Sequence, residues 1–174
     1  MLERMGMSSD ERELWKQIKA FEISDPTADF SFADRLAREN TWTLEYALRT
    51  LLEYKKFMFL ICLSKHPLTP SDQVDQVWHL HLIYTESYWT DFCKNTLNRL
   101  VQHGPTKGGE AEKTKYNNWY EATKERYQST FDEAPPIDIW PSSKTRFGQI
   151  RFSRVNLHTH WVIPKPRLLR KWKF

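Results

Sequence analysis

The chain has 174 residues, of which 40% are hydrophobic, 14% aromatic and 28% charged, values typical of one globular domain and not of a disordered chain. The longest apolar run, Phe57 to Leu63, is far shorter than the roughly 20 residues of a membrane span, and the start of the chain has no signal-peptide pattern. From the short apolar run we expect no membrane span. Two cysteines are too few for a disulfide framework, so we expect a cytoplasmic location.

The formal net charge of +4 is unevenly distributed along the chain. Residues 144–174 contain nine Lys or Arg and no Asp or Glu, so the other residues hold 17 bases against 22 acids. We therefore divide the chain into a helical domain, residues 1–143, and a basic extended arm, residues 144–174, packed on that domain. The arm either docks on the acidic body of its own domain or attracts an anionic partner such as RNA, DNA, a lipid surface or an acidic protein.

Helical patterns occupy the first part of the chain. Ser8 with Glu11 forms a capping-box pair that opens the first predicted helix, and a second, shorter helix covers residues 32–38. Thr43 caps a long third helix, whose second half is apolar on all sides at "FMFLICL". This half is the predicted buried centre of the domain.

Two more helices and a change of pattern follow. The fourth predicted helix begins near Pro70 and extends to about Leu97, and a fifth, over residues 110–131, carries aromatic residues at core spacing. From Arg146 the apolar residues alternate with polar ones, which is typical of a strand. The predicted fold is mostly α: a single domain of five to six helices with an extended or short β C-terminal arm.

Two histidines lie two residues apart in the fourth predicted helix. Because each helical residue turns by about 100°, His79 and His81 should face roughly opposite sides. Asp75 precedes His79 by one turn, so the two can share a metal ion or a hydrogen bond. His81 shares an apolar face with Val77 and should lie in the core. Both histidines can reach one metal ion only if the helix bends or widens near Leu80.

Other residues add to this candidate site. His103 follows in the next loop and can fold back on the helix, so the candidate metal ligands are Asp75, His79, His81 and His103. Two histidines and one carboxylate suit zinc with an open position or iron(II). A second candidate pair, His158 and His160, would lie on one face of a strand. Among the remaining donors, His66 is a weaker candidate, and Cys93 is interpreted as a buried, unreactive thiol.

The segment "VDQVWHLHLIYTESYWTDFC" resembles the signature of the glycine-rich-domain-containing protein-like family, whose pattern runs Val-Asp-x-x-Trp-His-x-His. The matching positions are Val74, Asp75, Trp78, His79 and His81. Leu82 stands where plant members usually have Gln, so the chain resembles the bacterial type, over about residues 10–166. The resemblance implies no reaction and no cofactor. RNA binding has been suggested for plant members through regions that this chain lacks, and the glycine-rich tail is absent.

Three functions are compatible with these patterns. The preferred one is a domain with a histidine-based metal site that holds zinc or iron, which is compatible with a hydrolase or an oxygen-activating enzyme but does not require catalysis. The second is a non-catalytic interaction module whose basic arm binds RNA or a protein partner, with an affinity that falls steeply with salt. The third is a small-molecule binder that uses the aromatic residues as the lining of a pocket.

Overall fold

The computed structural model describes residues 7–23, 27–104, 108–148, 155–156 and 158–163. Within these ranges the chain forms six α-helices and one π-helix and no strand, so the prediction of a mostly helical protein is confirmed. The elements are α1 (Ser9–Ala20), α2 (Phe32–Asn40), α3 (Leu44–Leu63), α4 (Asp72–Ile83), the π-helix (Ser87–Thr96), α5 (Glu110–Phe131) and α6 (Ser143–Arg146).

Hydroxyl side chains fix where the first helices begin. Ser8 and Ser31 each form a capping box with the third residue of the helix that follows, which satisfies backbone N–H groups that have no partner inside the helix. Thr43 accepts a hydrogen bond in the same way at the start of α3. Ser71 caps α4, so this helix starts at Asp72 and not at the predicted Pro70.

Helix α3 is the central element, and it contacts α1, α2, α4 and α5. Its segment 57–60 and Tyr54 are completely buried, as the all-round apolar pattern predicts. A buried Phe, Leu or Met side chain contributes about 1.5–3 kcal/mol relative to an exposed one, so this segment is the main hydrophobic contribution of the helix. None of the helices in the described ranges combines the length and the apolar character needed to cross a bilayer.

The predicted long histidine helix is two helices in the structure. Helix α4 ends at Ile83, and the N–H of Tyr84 donates to the carbonyl of His81 at 2.9 Å, a tight turn that ends the helix. In the π-helix hydrogen bonds span five residues, as between the N–H of Leu97 and the carbonyl of Phe92 at 2.8 Å. The first residues of the π-helix, Ser87 and Tyr88, contact α4 through His81 and Trp78.

A buried polar network joins α3, α5 and the segment after α5. The Lys56 Nζ donates to Glu53 at 2.9 Å, to the Tyr127 hydroxyl at 2.5 Å and to Glu133 at 2.7 Å. The Trp140 Nε1 donates to the other oxygen of Glu53 at 2.8 Å. Since Glu53 is only 4% exposed, these partners offset the cost of burying its charge.

Helix α6 keeps the chain against the body beyond position 144, where the basic arm was predicted to begin. Arg146 donates from Nε to the carbonyl of Pro70 at 3.1 Å and forms an ion pair with Asp72. The Phe147 ring packs edge-on against the Tyr120 ring, with 5.7 Å between centroids. The first residues of the predicted arm therefore contact the helical body.

Only eight residues beyond 148 are described, at 155–156 and 158–163. The strand predicted there is a turn within these residues: the Asn156 carbonyl accepts the N–H groups of Thr159 and His160, and the Asn156 side chain accepts that of His158. Val155 is 38% exposed and Trp161 92%. Packing of the arm on the body stays a prediction, and its other residues, Leu157 among them, lie outside the described ranges.

Candidate metal centre

Asp75 and His79 lie one turn apart on the same face of α4, and His103 approaches them from the loop after the π-helix. His79 is exposed, whereas the side chains of Asp75 and His103 are only 19% and 17% exposed. The site thus has a partly buried floor and one solvent-facing imidazole. A small solute can reach it.

The three side chains present their ligating atoms to a common point. The His103 Nε2 lies 2.8 Å from Asp75 Oδ1, and the rings of His79 and His103 are 4.6 Å apart between centroids. One donor atom from each residue falls within 4.8 Å of the others. Metal–ligand bonds of about 2.0–2.2 Å would place neighbouring donors roughly 3–3.5 Å apart, so small side-chain rotations would be enough to close the site.

Trp78, an aromatic residue of α4, packs against the ring of His103. The Trp78 ring meets the His103 ring at 62° with 4.3 Å between centroids. The Trp78 Nε1 donates to the Tyr88 hydroxyl at 2.9 Å, and that hydroxyl donates to the Val101 carbonyl at 2.5 Å. Burial raises the pKa of Tyr88, so its hydroxyl stays protonated near neutral pH and can donate.

The second oxygen of Asp75 faces a cation. The Arg146 Nη2 lies 3.9 Å from Asp75 Oδ2, while the same guanidinium is bonded to Asp72 and to the Pro70 carbonyl. Such outer-shell contacts hold a carboxylate in one orientation. Asp75 therefore keeps its first oxygen, Oδ1, directed at His103.

His81 lies elsewhere, in the core. It is fully buried, its Nδ1 is 2.9 Å from the Tyr54 hydroxyl, and its Nε2 is 3.3 Å from the Ser87 Oγ. Because Ser87 donates its own proton to the Ile23 carbonyl, the network assigns the imidazole proton to Nε2. Burial, with a smaller contribution from the charge of Lys55, lowers the pKa of His81 to about 3. Helix α4 stays regular through Leu80, and the structure does not bring His81 to the other three predicted ligands.

The remaining predicted donors are apart from this cluster. His158 and His160 are exposed in the turn at Asn156, and His66 is exposed in the loop after α3. Burial raises the pKa of Cys93, which fits its interpretation as an unreactive thiol. Over the described ranges, Asp75, His79 and His103 are the one set of at least three such side chains placed to share a metal ion.

Sequence patterns did not indicate two of the supporting residues. Arg146 belongs to the predicted basic arm, and nothing in its neighbourhood signals that it reaches Asp75. Tyr88 is only one of many aromatic residues in the sequence, and its bond to Val101 joins residues 13 positions apart. Comparison of the chain with known protein families, with curated proteins and with solved structures finds no match.

Proposed function

We propose that this protein is a metal-binding domain that holds one zinc or iron ion at Asp75, His79 and His103. The observation that carries the proposal is the convergence of one carboxylate and two imidazoles, with donor atoms within 4.8 Å of one another. Asp75 and His103 are 28 residues apart in the chain, so the fold brings them together. This donor set is typical of zinc with an open position and of non-haem iron(II).

The simpler interpretation is an Asp–His hydrogen bond without a metal. That bond alone, at 2.8 Å, would satisfy Asp75 Oδ1 and one nitrogen of His103. It does not account for His79, whose exposed ring stands 4.6 Å from that of His103 although solvent would accommodate it in other positions. A shared metal ion would make both imidazoles ligands, and its binding would release protons from the ligand side chains.

Three protein ligands leave room for one more. A four-coordinate zinc site with three protein ligands keeps a position for water or substrate, which is the arrangement of catalytic sites and not of closed structural ones. A metal ion in such a site lowers the pKa of bound water or polarises a bound carbonyl. We therefore propose a metal-dependent enzyme, with the open position on the exposed side next to His79.

Metal analysis of untagged protein tests the proposal. Protein exposed to zinc or iron(II) and then desalted should keep about one equivalent of metal, measured by mass spectrometry of the elements. The variants His79→Ala, His103→Ala and Asp75→Asn should lose this metal. The variant His66→Ala, which removes an exposed histidine outside the cluster, should keep it. Wild-type protein that retains no metal would refute the site.

We also propose membership of the glycine-rich-domain-containing protein-like family and a cytoplasmic location. Support for the family comes from the matched signature, since each of its residues has a place in the arrangement above. Asp75 and His79 belong to the cluster, Trp78 supports His103, and Val74 and His81 are buried. The two free cysteines fit a reducing compartment. A family member with the signature but without the three-residue cluster in its structure would count against the link.

The uneven charge supports a second role, binding of RNA or an acidic protein through the arm. Nine basic and no acidic residues lie in 144–174, and seven of the nine follow Gly148. A variant that ends at Gly148 keeps Arg146 on Asp72 and so leaves the metal site intact. It should lose affinity for a labelled polynucleotide, and wild-type binding should weaken steeply as salt is raised. Equal binding by the shortened protein would exclude the arm.

A further inference from the structure

We propose that Tyr88 is a positioning residue of the metal centre. Its hydroxyl holds both the loop that carries His103 and the ring on which His103 packs, so that this imidazole stands beside Asp75 and His79 before a metal ion arrives. The inference rests on the proposed metal site and adds a residue that touches neither the ligands nor the metal.

The Tyr88 hydroxyl bonds both to α4 and to the loop that carries His103. It accepts a hydrogen bond from the Trp78 Nε1 on α4 at 2.9 Å and donates to the Val101 carbonyl in the loop at 2.5 Å. All three residues are buried. A buried donor or acceptor that loses its partner is costly, so these two bonds restrict where the loop can lie.

Each of these two hydrogen bonds holds a residue that determines where His103 lies. Val101 precedes His103 by two residues, so fixing its carbonyl fixes the path of the chain into His103. The Trp78 ring, held by the other bond, packs edge-on against the His103 ring at 4.3 Å. Without these restraints a loop residue would lose conformational freedom when metal binds, and affinity would fall accordingly. Outer-shell partners of metal ligands typically change metal affinity about 10- to 100-fold.

Tyr88 is the second residue of the π-helix. The Tyr88 ring packs edge-on against the His81 ring, with 5.1 Å between centroids, while its hydroxyl reaches Trp78 one turn earlier on α4. The π-helix begins at Ser87, after a bend at Tyr84 and two helical residues, Thr85 and Glu86. π-Helical segments are rare and occur frequently at functional sites, which fits a segment that supports a ligand.

A matched substitution separates positioning from stability. Tyr54 is also fully buried, and its hydroxyl bonds to His81 Nδ1 at 2.9 Å. Within the described residues of the loop that carries His103, none is bonded to Tyr54. Tyr88→Phe and Tyr54→Phe therefore each remove one buried hydroxyl from the same core, but only the first removes the support of His103.

The experiment compares zinc titrations of the wild type, Tyr88→Phe and Tyr54→Phe, at a temperature where circular dichroism shows all three folded. Tyr88→Phe should weaken zinc binding about tenfold or more, whereas Tyr54→Phe should leave it unchanged. In metal-free protein, the nuclear Overhauser contact between the Trp78 and His103 rings should weaken in Tyr88→Phe only. Unchanged affinity in Tyr88→Phe, or equal weakening in both variants, would overturn the proposal.

A second variant covers the case in which Tyr88→Phe does not fold. Trp78→Phe keeps an aromatic ring beside His103 but removes the N–H group that donates to the Tyr88 hydroxyl, so zinc affinity should again fall. An unchanged affinity would overturn the role of this contact.

The two proposals fail in different ways. A wild type that binds no zinc refutes the metal site and the positioning role together. A wild type that binds zinc no better than Tyr88→Phe refutes the positioning role alone.

Discussion

Replacing His81 by Ala should destabilise the protein far more than replacing His79 by Ala, although the two residues lie two positions apart on one helix. His79 is exposed, whereas His81 is fully buried. The rings within about 6 Å of the His81 ring, the spacing of packed aromatic pairs, come from Phe21, Phe32, Tyr54, Tyr88 and Phe92. These rings cannot all move into the space that an imidazole would leave.

The size of the effect follows from the packing and the hydrogen bonds that His81→Ala removes. Removing a buried aromatic ring costs about 3–5 kcal/mol, and the smaller imidazole about 2–4 kcal/mol. The Tyr54 hydroxyl loses its partner and Ser87 loses one of its two hydrogen bonds, which adds about 1 kcal/mol or more. A total loss of about 3–5 kcal/mol corresponds to a melting temperature lower by about 6–20 °C for a chain of this length. His79→Ala should change the free energy of unfolding by less than about 0.5 kcal/mol.

Urea unfolding followed by circular dichroism, on both variants and the wild type with a chelator present, measures these differences. The chelator removes any stabilisation by metal, so only packing and hydrogen bonds contribute. Similar losses for the two variants, or a larger loss for His79→Ala, would show that the assignment of His81 to the core is wrong.

Three further predictions concern acid stability, metal and the buried network. Burial lowers the pKa of His81 from 6.5 to about 3, so below about pH 6.5 the unfolded chain binds a proton that the folded chain excludes. The free energy of unfolding should therefore fall by up to about 1.4 kcal/mol per pH unit as the pH drops below about 6.5. The variant His81→Gln should show a shallower decline. If His81→Gln leaves the dependence of the free energy of unfolding on pH unchanged, that dependence comes from other titrating groups. Zinc at a hundred times its dissociation constant should stabilise the wild type by about 2.7 kcal/mol in a thermal melt and leave His103→Ala unaffected. Lys56→Met leaves Glu53 without its cation and should cost about 3–5 kcal/mol, whereas Lys94→Met, at an exposed position, should cost little; equal costs in urea unfolding would contradict the role given to Lys56.

Features set by neighbours in sequence could be predicted from the sequence. Ser8 with Glu11 and the cap at Thr43 placed two helix starts, because capping bonds span only three residues. The one-turn separation of Asp75 and His79 placed them on one face, and helical rotation placed His81 on another. Each of these depends on geometry inside a single helix.

Features set by distant neighbours could not be predicted. The sequence has no clear pattern that marks the break after Ile83 or the π-helix. The hydrogen bonds that Ser87 and Tyr88 form there, to His81, Trp78 and Val101, depend on how the elements pack. His103 was a candidate, but its 2.8 Å contact with Asp75 spans 28 residues. In the arm, alternating residues indicated a strand, but in the described residues the Asn156 side chain bonds to the backbone and forms a turn.

The bond between Glu53 and Trp140 has a consequence for how long the folded state lasts. It joins residues 87 positions apart, whereas α3 meets α1 and α2 through much shorter stretches of chain. Contacts that close such long loops are slow to form, so we expect this one to form after the rate-limiting step of folding. An interaction absent from the transition state controls unfolding and hardly affects folding. Loosening Trp140 from Glu53 should therefore shorten the lifetime of the native protein and leave its refolding rate nearly the same.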